Sequence, residues 1–197
     1  MDIKKRILEN LTETQKYALL LLSANNFEPV KGRLWFQKEL FLLAKNNEEL
    51  AEQTDFEADF MGPYSESADE GLEQLEYAKV VENEGNKLKL TGLGRDIVEI
   101  LGKNTSEDET EMIEDFKAEL NDLTEDELLG FIYYTYPEMT KESIKIQKIK
   151  PKRKNIALSL YAKSKISLGK ALEIAEMNID NFIIEAKLKG IQIYTQV

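Results

Sequence analysis

Charge divides this chain into two unlike parts. Residues 1–140 carry 14 Lys and Arg against 32 Asp and Glu, a net of −18. Residues 141–197 carry 12 against 5, a net of +7, and the two sum to the −11 of the whole. Such a split points to two units with different partners, or to two halves that simply attract one another. At 197 residues the chain can bury one good core or two modest ones, so a boundary near residue 140 is affordable on length.

Two absences limit the chemistry. The sequence holds neither histidine nor cysteine. That removes Ser-His-Asp and Cys-His nucleophile systems, disulfides and the usual zinc sites. Carboxylate-only chemistry stays open, but among 37 acids the presence of carboxylates says nothing. The expectation is a non-enzymatic protein with no metal and no cofactor. No apolar run approaches the length of a membrane span, and the polar start Met1-Asp2-Ile3-Lys4-Lys5-Arg6 lacks a signal-peptide core, so the reading is a cytoplasmic protein with no membrane partner.

Apolar periodicity makes the chain mainly α. The first domain is expected over residues 1–103. It begins with a helix over Ile7–Asn26, in which Thr12 and Gln15 are spaced as a capping box inside a longer start. A second helix runs from Arg33 to Glu52, and a short strand covers Asp55–Met61. Gly62-Pro63-Tyr64-Ser65 then turns into a third helix ending near Ala78. Residues 80–90 read as two strands around a Gly85-Asn86 turn, and Thr91 caps a closing helix through Leu101. Gly92-Leu93-Gly94 lacks the third glycine and the βαβ setting of a dinucleotide site, and fits the turn into that helix.

The run KVVENEGNKLKLTGLGRDIVEIL (residues 79–101) resembles the wing and following helix of a winged helix-turn-helix domain with a small β-hairpin. The run FMGPYSESADEGLEQLE (residues 60–76) resembles uncharacterised prokaryotic winged-helix proteins and, more distantly, the Panacea antitoxin domains. In that fold the third helix reads DNA. Here it carries Glu66, Asp69, Glu70, Glu73 and Glu76, with no base before Lys79, and would repel phosphates. These five are either a solvated face or the candidate surface for a basic protein partner.

Residues 104–147 read as an acidic helical extension and linker, with capping boxes at Ser106/Glu109 and Thr124/Glu127. The tyrosines near residue 134 are expected to pack against the first domain or a dimer seam rather than to stack bases.

The basic helix-turn-helix domain is expected over residues 148–197. Lys148, Lys150, Lys152, Arg153 and Lys154 fall within seven residues, and Pro151 makes them read as an exposed linker or arm. A helix follows over Asn155–Lys165, a second from its Ser167 cap through Met177, and a third from Asn178 to Gly190. On the third, Ile179, Phe182, Ile183 and Ala186 form one apolar stripe. Ile184 and Leu188 form another nearly opposite, which suggests a dimer or interdomain seam. Candidate DNA contacts are the five basic residues of the arm with Lys163, Lys165, Lys170 and Asn181. Glu185-Ala186-Lys187 matches the Glu-x-Lys of metal-dependent nucleases only superficially, since its periodicity is helical.

The run NIALSLYAKSKISLGKALEIAEMNIDNFIIEAKLKGIQI (residues 155–193) resembles a family of small prokaryotic helix-turn-helix proteins, catalogued as an uncharacterised protein family and antitoxin-like. Ser167, Leu168, Gly169, Lys170, Ala171, Ala175, Phe182, Gly190 and Ile191 carry the match. Where relatives usually have glycine in the turn, this chain has Glu176. The resemblance implies an antitoxin-like or transcription-regulator role. Beside it the residues leave two readings of the whole chain: a homodimeric regulator that contacts DNA through its basic domain, or an interaction protein whose acidic half holds a basic partner.

Overall fold

The computed structural model describes residues 3–193. It is mainly helical, with two small antiparallel hairpins. The chain forms two compact units, one of residues 1–57 and 63–122, the other of residues 58–62 and 123–197. The segment 104–147, read from sequence as one extension, gives one helix to each unit.

The first unit is arranged around α2 (Glu13–Phe27), which packs against α4, α5, α6, α7 and β4. These are α4 (Glu48–Thr54), α5 (Glu66–Tyr77), α6 (Gly92–Leu101), α7 (Glu107–Asn121) and β4 (Lys87–Leu90). Being surrounded, α2 is apolar nearly all round: Tyr17 through Leu22 are all buried. It is preceded by α1 (Ile3–Leu8) and followed by α3 (Gly32–Ala44).

Helix starts differ from the sequence expectation at two places. The Thr12–Gln15 box is not internal: its two hydrogen bonds, at 3.2 and 3.1 Å, open α2 and separate it from α1. The expected Arg33–Glu52 helix breaks at residues 45–47, where the Asn47 side chain accepts from Leu50 N–H at 2.9 Å and starts α4. The expected end at Asn26 also moves. Helical geometry stops before Ala24, and Asn25, Asn26 and Phe27 take φ of 53°, 55° and 62°.

β1 (Glu57–Asp59) pairs with β2 (Gly62–Tyr64), so Gly62-Pro63-Tyr64 is a strand rather than a turn. β3 (Val81–Glu84) pairs antiparallel with β4 around Gly85-Asn86, with Val81 opposite Leu90 and Glu84 opposite Lys87. Val30 adds a third rung: its N–H donates to Leu88 O at 3.0 Å and its C=O accepts from Leu88 N–H at 2.9 Å. Thr91 caps α6 as its spacing predicts, through Gly94 N–H at 3.1 Å.

In the second unit, α8 (Glu125–Thr135) and α10 (Arg153–Ala162) pack together, joined through α9 (Ile146–Ile149). α11 (Leu168–Ala175) packs on α10, and α12 (Ile179–Leu188) on α11. The core holds Leu128, Leu129, Ile132, Ile156, Leu158, Leu160, Ile174 and Phe182. Residues 58–62 join it through Phe60 O, which accepts from Ile144 N–H at 3.1 Å.

Four helices end in one motif. Lys79, Ser164, Glu176 and Gly190 are left-handed (φ 59°, 59°, 51° and 71°). The next N–H in each case reaches back five residues: Val80 to Leu75 O, Lys165 to Leu160 O, Met177 to Leu172 O and Ile191 to Ala186 O. This is the Schellman closure, and at only one of the four does glycine fill the left-handed position.

Candidate functional site

The best-defined surface feature of the second unit is α12 and what leads into it. Ser167 Oγ accepts from Lys170 N–H at 3.2 Å and starts α11. Three residues, Glu176, Met177 and Asn178, connect α11 to α12, and Asn178 Oδ1 accepts from Asn181 N–H at 2.9 Å. Small Ala171 and Ala175 are buried. Phe182 and Ala186 are fully buried on the inner side of α12. The opposite side presents Asp180, Asn181, Ile184, Lys187 and Leu188, with Ile184 57% and Leu188 78% exposed.

The basic run does not form an exposed arm. Pro151 sits at the start of a 3-10 turn, Lys150–Lys152, that carries the backbone from α9 straight into α10. Proline is tolerated there because the first-turn N–H groups have no helical partner. Sequence reading took the proline as a break and missed this position.

Most of the candidate cations are held by acids or backbone oxygens. Lys152 pairs with Asp126, and Lys154 with Glu185 at 2.8 Å. Arg153 pairs with Glu176 and lies over the Tyr134 ring, 4.8 Å from its centre. Lys163 meets Glu127 at 3.0 Å; Lys170 meets Glu173 at 2.8 Å and donates to Tyr134 O at 3.1 Å. Lys165 lines an open groove of about 570 Å³ with Tyr161, Ser164, Ser167 and Gly190. Lys148 and Lys150 are exposed and, among the described residues, have no ion pair; the same holds for Lys141, Lys187 and Lys189, which were not candidates. Asn181 is exposed beside Ile184, and Glu185 faces Lys154 rather than any partner.

The acidic surface of α5 is also partly neutralised. Arg33 of α3 reaches Asp69 and Glu76, each at 2.6 Å, and Glu73 at 3.7 Å. Glu66 and Glu70 remain exposed. No local pattern marks Arg33, because it meets these acids through tertiary packing across 36 to 43 positions.

Sequence reading also missed a buried polar row on α3, where Gln37, Lys38 and Glu39 are all buried. The Gln37 amide brackets Ser65, donating to its C=O and accepting from its N–H, both at 3.0 Å. Lys38 Nζ donates to Pro63 O at 2.7 Å. Among the described residues, neither oxygen of Glu39 has a hydrogen-bond partner. Burial pushes its carboxyl up to about 8, and the charges of Lys117 and Lys31 only partly pull it back. Lys117, also buried, donates to Ala24 O at 2.9 Å, at the unwound end of α2. Burial pulls its ammonium down to about 8.

Taken together, the second unit is a helical domain in which two short helices meet over three residues. Residues 132–196 match the model of the family described as Uncharacterised protein family (UPF0175), so the C-terminal third is similar to that family. No curated protein and no solved structure matches the chain. No helix among the described residues is long and apolar enough to cross a membrane.

Proposed function

We propose that this chain is a non-enzymatic, antitoxin-like helix-turn-helix regulator that holds DNA through phosphate contacts from its second unit. The observation that carries the reading is the α11–turn–α12 pair, set in the part of the chain where cations exceed acids by seven. The match of residues 132–196 to a family covers the same elements. α12 is a weak base reader, since its outer side offers Asn181 beside Asp180, Ile184 and Leu188. Contacts to the backbone are the ones its surroundings suit.

The first unit supports a winged-helix reading. From α2 its order is helix, a single bridging residue (Val30), helices α3 and α4, the β1–β2 hairpin, α5, then the β3–β4 hairpin, with Val30 pairing to β4. In a winged-helix frame α4 and the β1–β2 hairpin are insertions before α5. In this frame α5 occupies the DNA-reading position, yet it carries acids and no base. The unit is therefore assigned to holding a basic protein partner or an effector.

Fluorescence anisotropy of the full chain on labelled duplex DNA, across a salt series, tests the regulator reading. Twelve cations in residues 141–197 would give a log–log salt slope of about −11 if all met phosphates. Five unpaired lysines predict a slope of about −4 to −5. Absence of binding at low salt overturns the reading. Exposed Ile184 and Leu188 favour the second one, an interaction protein without DNA affinity.

A further inference from the structure

Among the described residues the outer side of α12 has no partner, yet its composition is specific. At 100° per residue, Asp180, Lys187, Leu188 and Asn181 all fall within about 60° of Ile184, and the buried Phe182 and Ala186 lie on the far side. An apolar residue sits at the middle of this surface and another one turn later. One acid lies one turn before the centre, and one base three residues after it. All five residues are exposed.

We propose that this surface pairs with the same surface of a second copy of the chain, α12 against α12, antiparallel, with the two-fold axis at Ile184. The charges select that arrangement. A two-fold axis perpendicular to both helices keeps Asp180 and Lys187 on the same edge of the seam. Asp180, four residues before the axis, then lies about 1.5 Å along the seam from Lys187 of the second copy, four residues standing against three. Symmetry makes this pair twice, while Leu188 covers Asn181 of the partner at the other edge. A parallel pairing would instead set Asp180 beside Asn181 and Lys187 beside Leu188, with like charges level across the seam and no opposite charges paired. No other surface of the chain is required, and the seam exists only between copies because Asp180 and Lys187 of one helix lie too far apart along its axis to pair with each other.

The seam takes the outer side of α12 out of contact with DNA and Lys187 out of the unpaired cations, so phosphate contacts in a dimer would fall to Lys141, Lys148, Lys150 and Lys189 of each copy. With one ten-residue helix per side, association is weak and concentration-dependent.

Because the chain has no cysteine, single cysteines report the geometry directly. Under mild oxidation the full-length I184C variant forms a disulfide-linked dimer. L188C alone and N181C alone do not, because antiparallel pairing separates each from its own copy by about 9–12 Å along the axis. An equimolar mixture of L188C and N181C does cross-link, since these two face each other at one edge. Efficient self-linking of L188C with none in the mixture overturns the antiparallel arrangement, and no linking at any position overturns the seam. In sedimentation equilibrium, D180K weakens dimerisation about tenfold and D180K/K187D restores it. Equal weakening by the single and double variants, with unchanged circular dichroism, also overturns the proposal.

Discussion

Lys163, at the C-terminal end of α10, donates to Glu127 Oε2 at 3.0 Å, and the same oxygen accepts from Thr124 N–H at 2.8 Å in the capping box of α8. The other oxygen accepts from Ser159 Oγ of α10. One carboxylate thus caps a helix and ties it to its neighbour. Burial by itself would raise the Glu127 carboxyl, but the hydrogen bonds from Ser159, Thr124 and Lys163 outweigh it and hold it below its ordinary value of 4.5. A depressed carboxyl stabilises above its unfolded value, and that contribution is lost as pH falls below 4.5. Glu127→Ala should lower stability by about 1–3 kcal/mol at pH 7. In urea titrations the gap between variant and wild type should shrink at low pH.

Glu39 predicts the opposite slope. Its carboxyl ionises at 4.5 in the unfolded chain and only at about 8 in the folded one, so stability falls as pH rises between those values. Lys117 runs the other way: its depressed value of about 8 against 10.5 returns stability between pH 8 and 10.5. Thermal unfolding should therefore show a minimum near pH 8. Glu39→Gln should remove the acid-side slope, leaving the variant more stable than wild type at pH 8 by about 2–4 kcal/mol.

Glu176 stands where a left-handed residue closes α11, with φ at 51°. A side chain in that region costs roughly 1 kcal/mol that glycine avoids. Glu176→Gly also gives up the exposed pairing with Arg153, which is worth little. The net expectation is a gain of about 0.5–1 kcal/mol, read as a higher urea midpoint. Ser164→Gly, at the end of α10, should act in the same direction.

Gly130 of α8 faces Ile156 of α10 so closely that an added Cβ would lie 2.8 Å from Cγ2 of Ile156. Gly130→Ala should therefore destabilise by about 1–3 kcal/mol despite alanine's better helix propensity. Adding Ile156→Ala should recover part of that loss. A double variant no better than the sum of the two singles would show the contact is not the cause.

These closures explain how far the sequence could be read. Starts were legible where a side chain performs the capping, as at Thr91, Thr124, Ser167 and Asn178. Ser106 is half of an expected box: its oxygen accepts from Glu109 N–H, but the Glu109 side chain goes to Tyr17 instead. Ends were read to within a residue for α5 and α6, whereas α10, α11 and α12 stop at Ala162, Ala175 and Leu188, two or three residues short of the expected Lys165, Met177 and Gly190. Ser164 and Glu176 carry no sequence mark of a left-handed residue. Ion pairs such as Lys154–Glu185 and Arg33–Asp69 join positions 31 and 36 apart, so counting charge along the chain overstated what either surface offers a partner.

Residues 58–62 count with the second unit although 1–57 and 63–122 form the first. The backbone therefore changes units three times, after residues 57, 62 and 122. No single cut yields either unit whole: a fragment beginning at Leu123 lacks the Phe60 carbonyl that receives the Ile144 N–H. Opening one unit drags on the other through its own chain, so the two should melt as a stitched pair rather than as beads on a string.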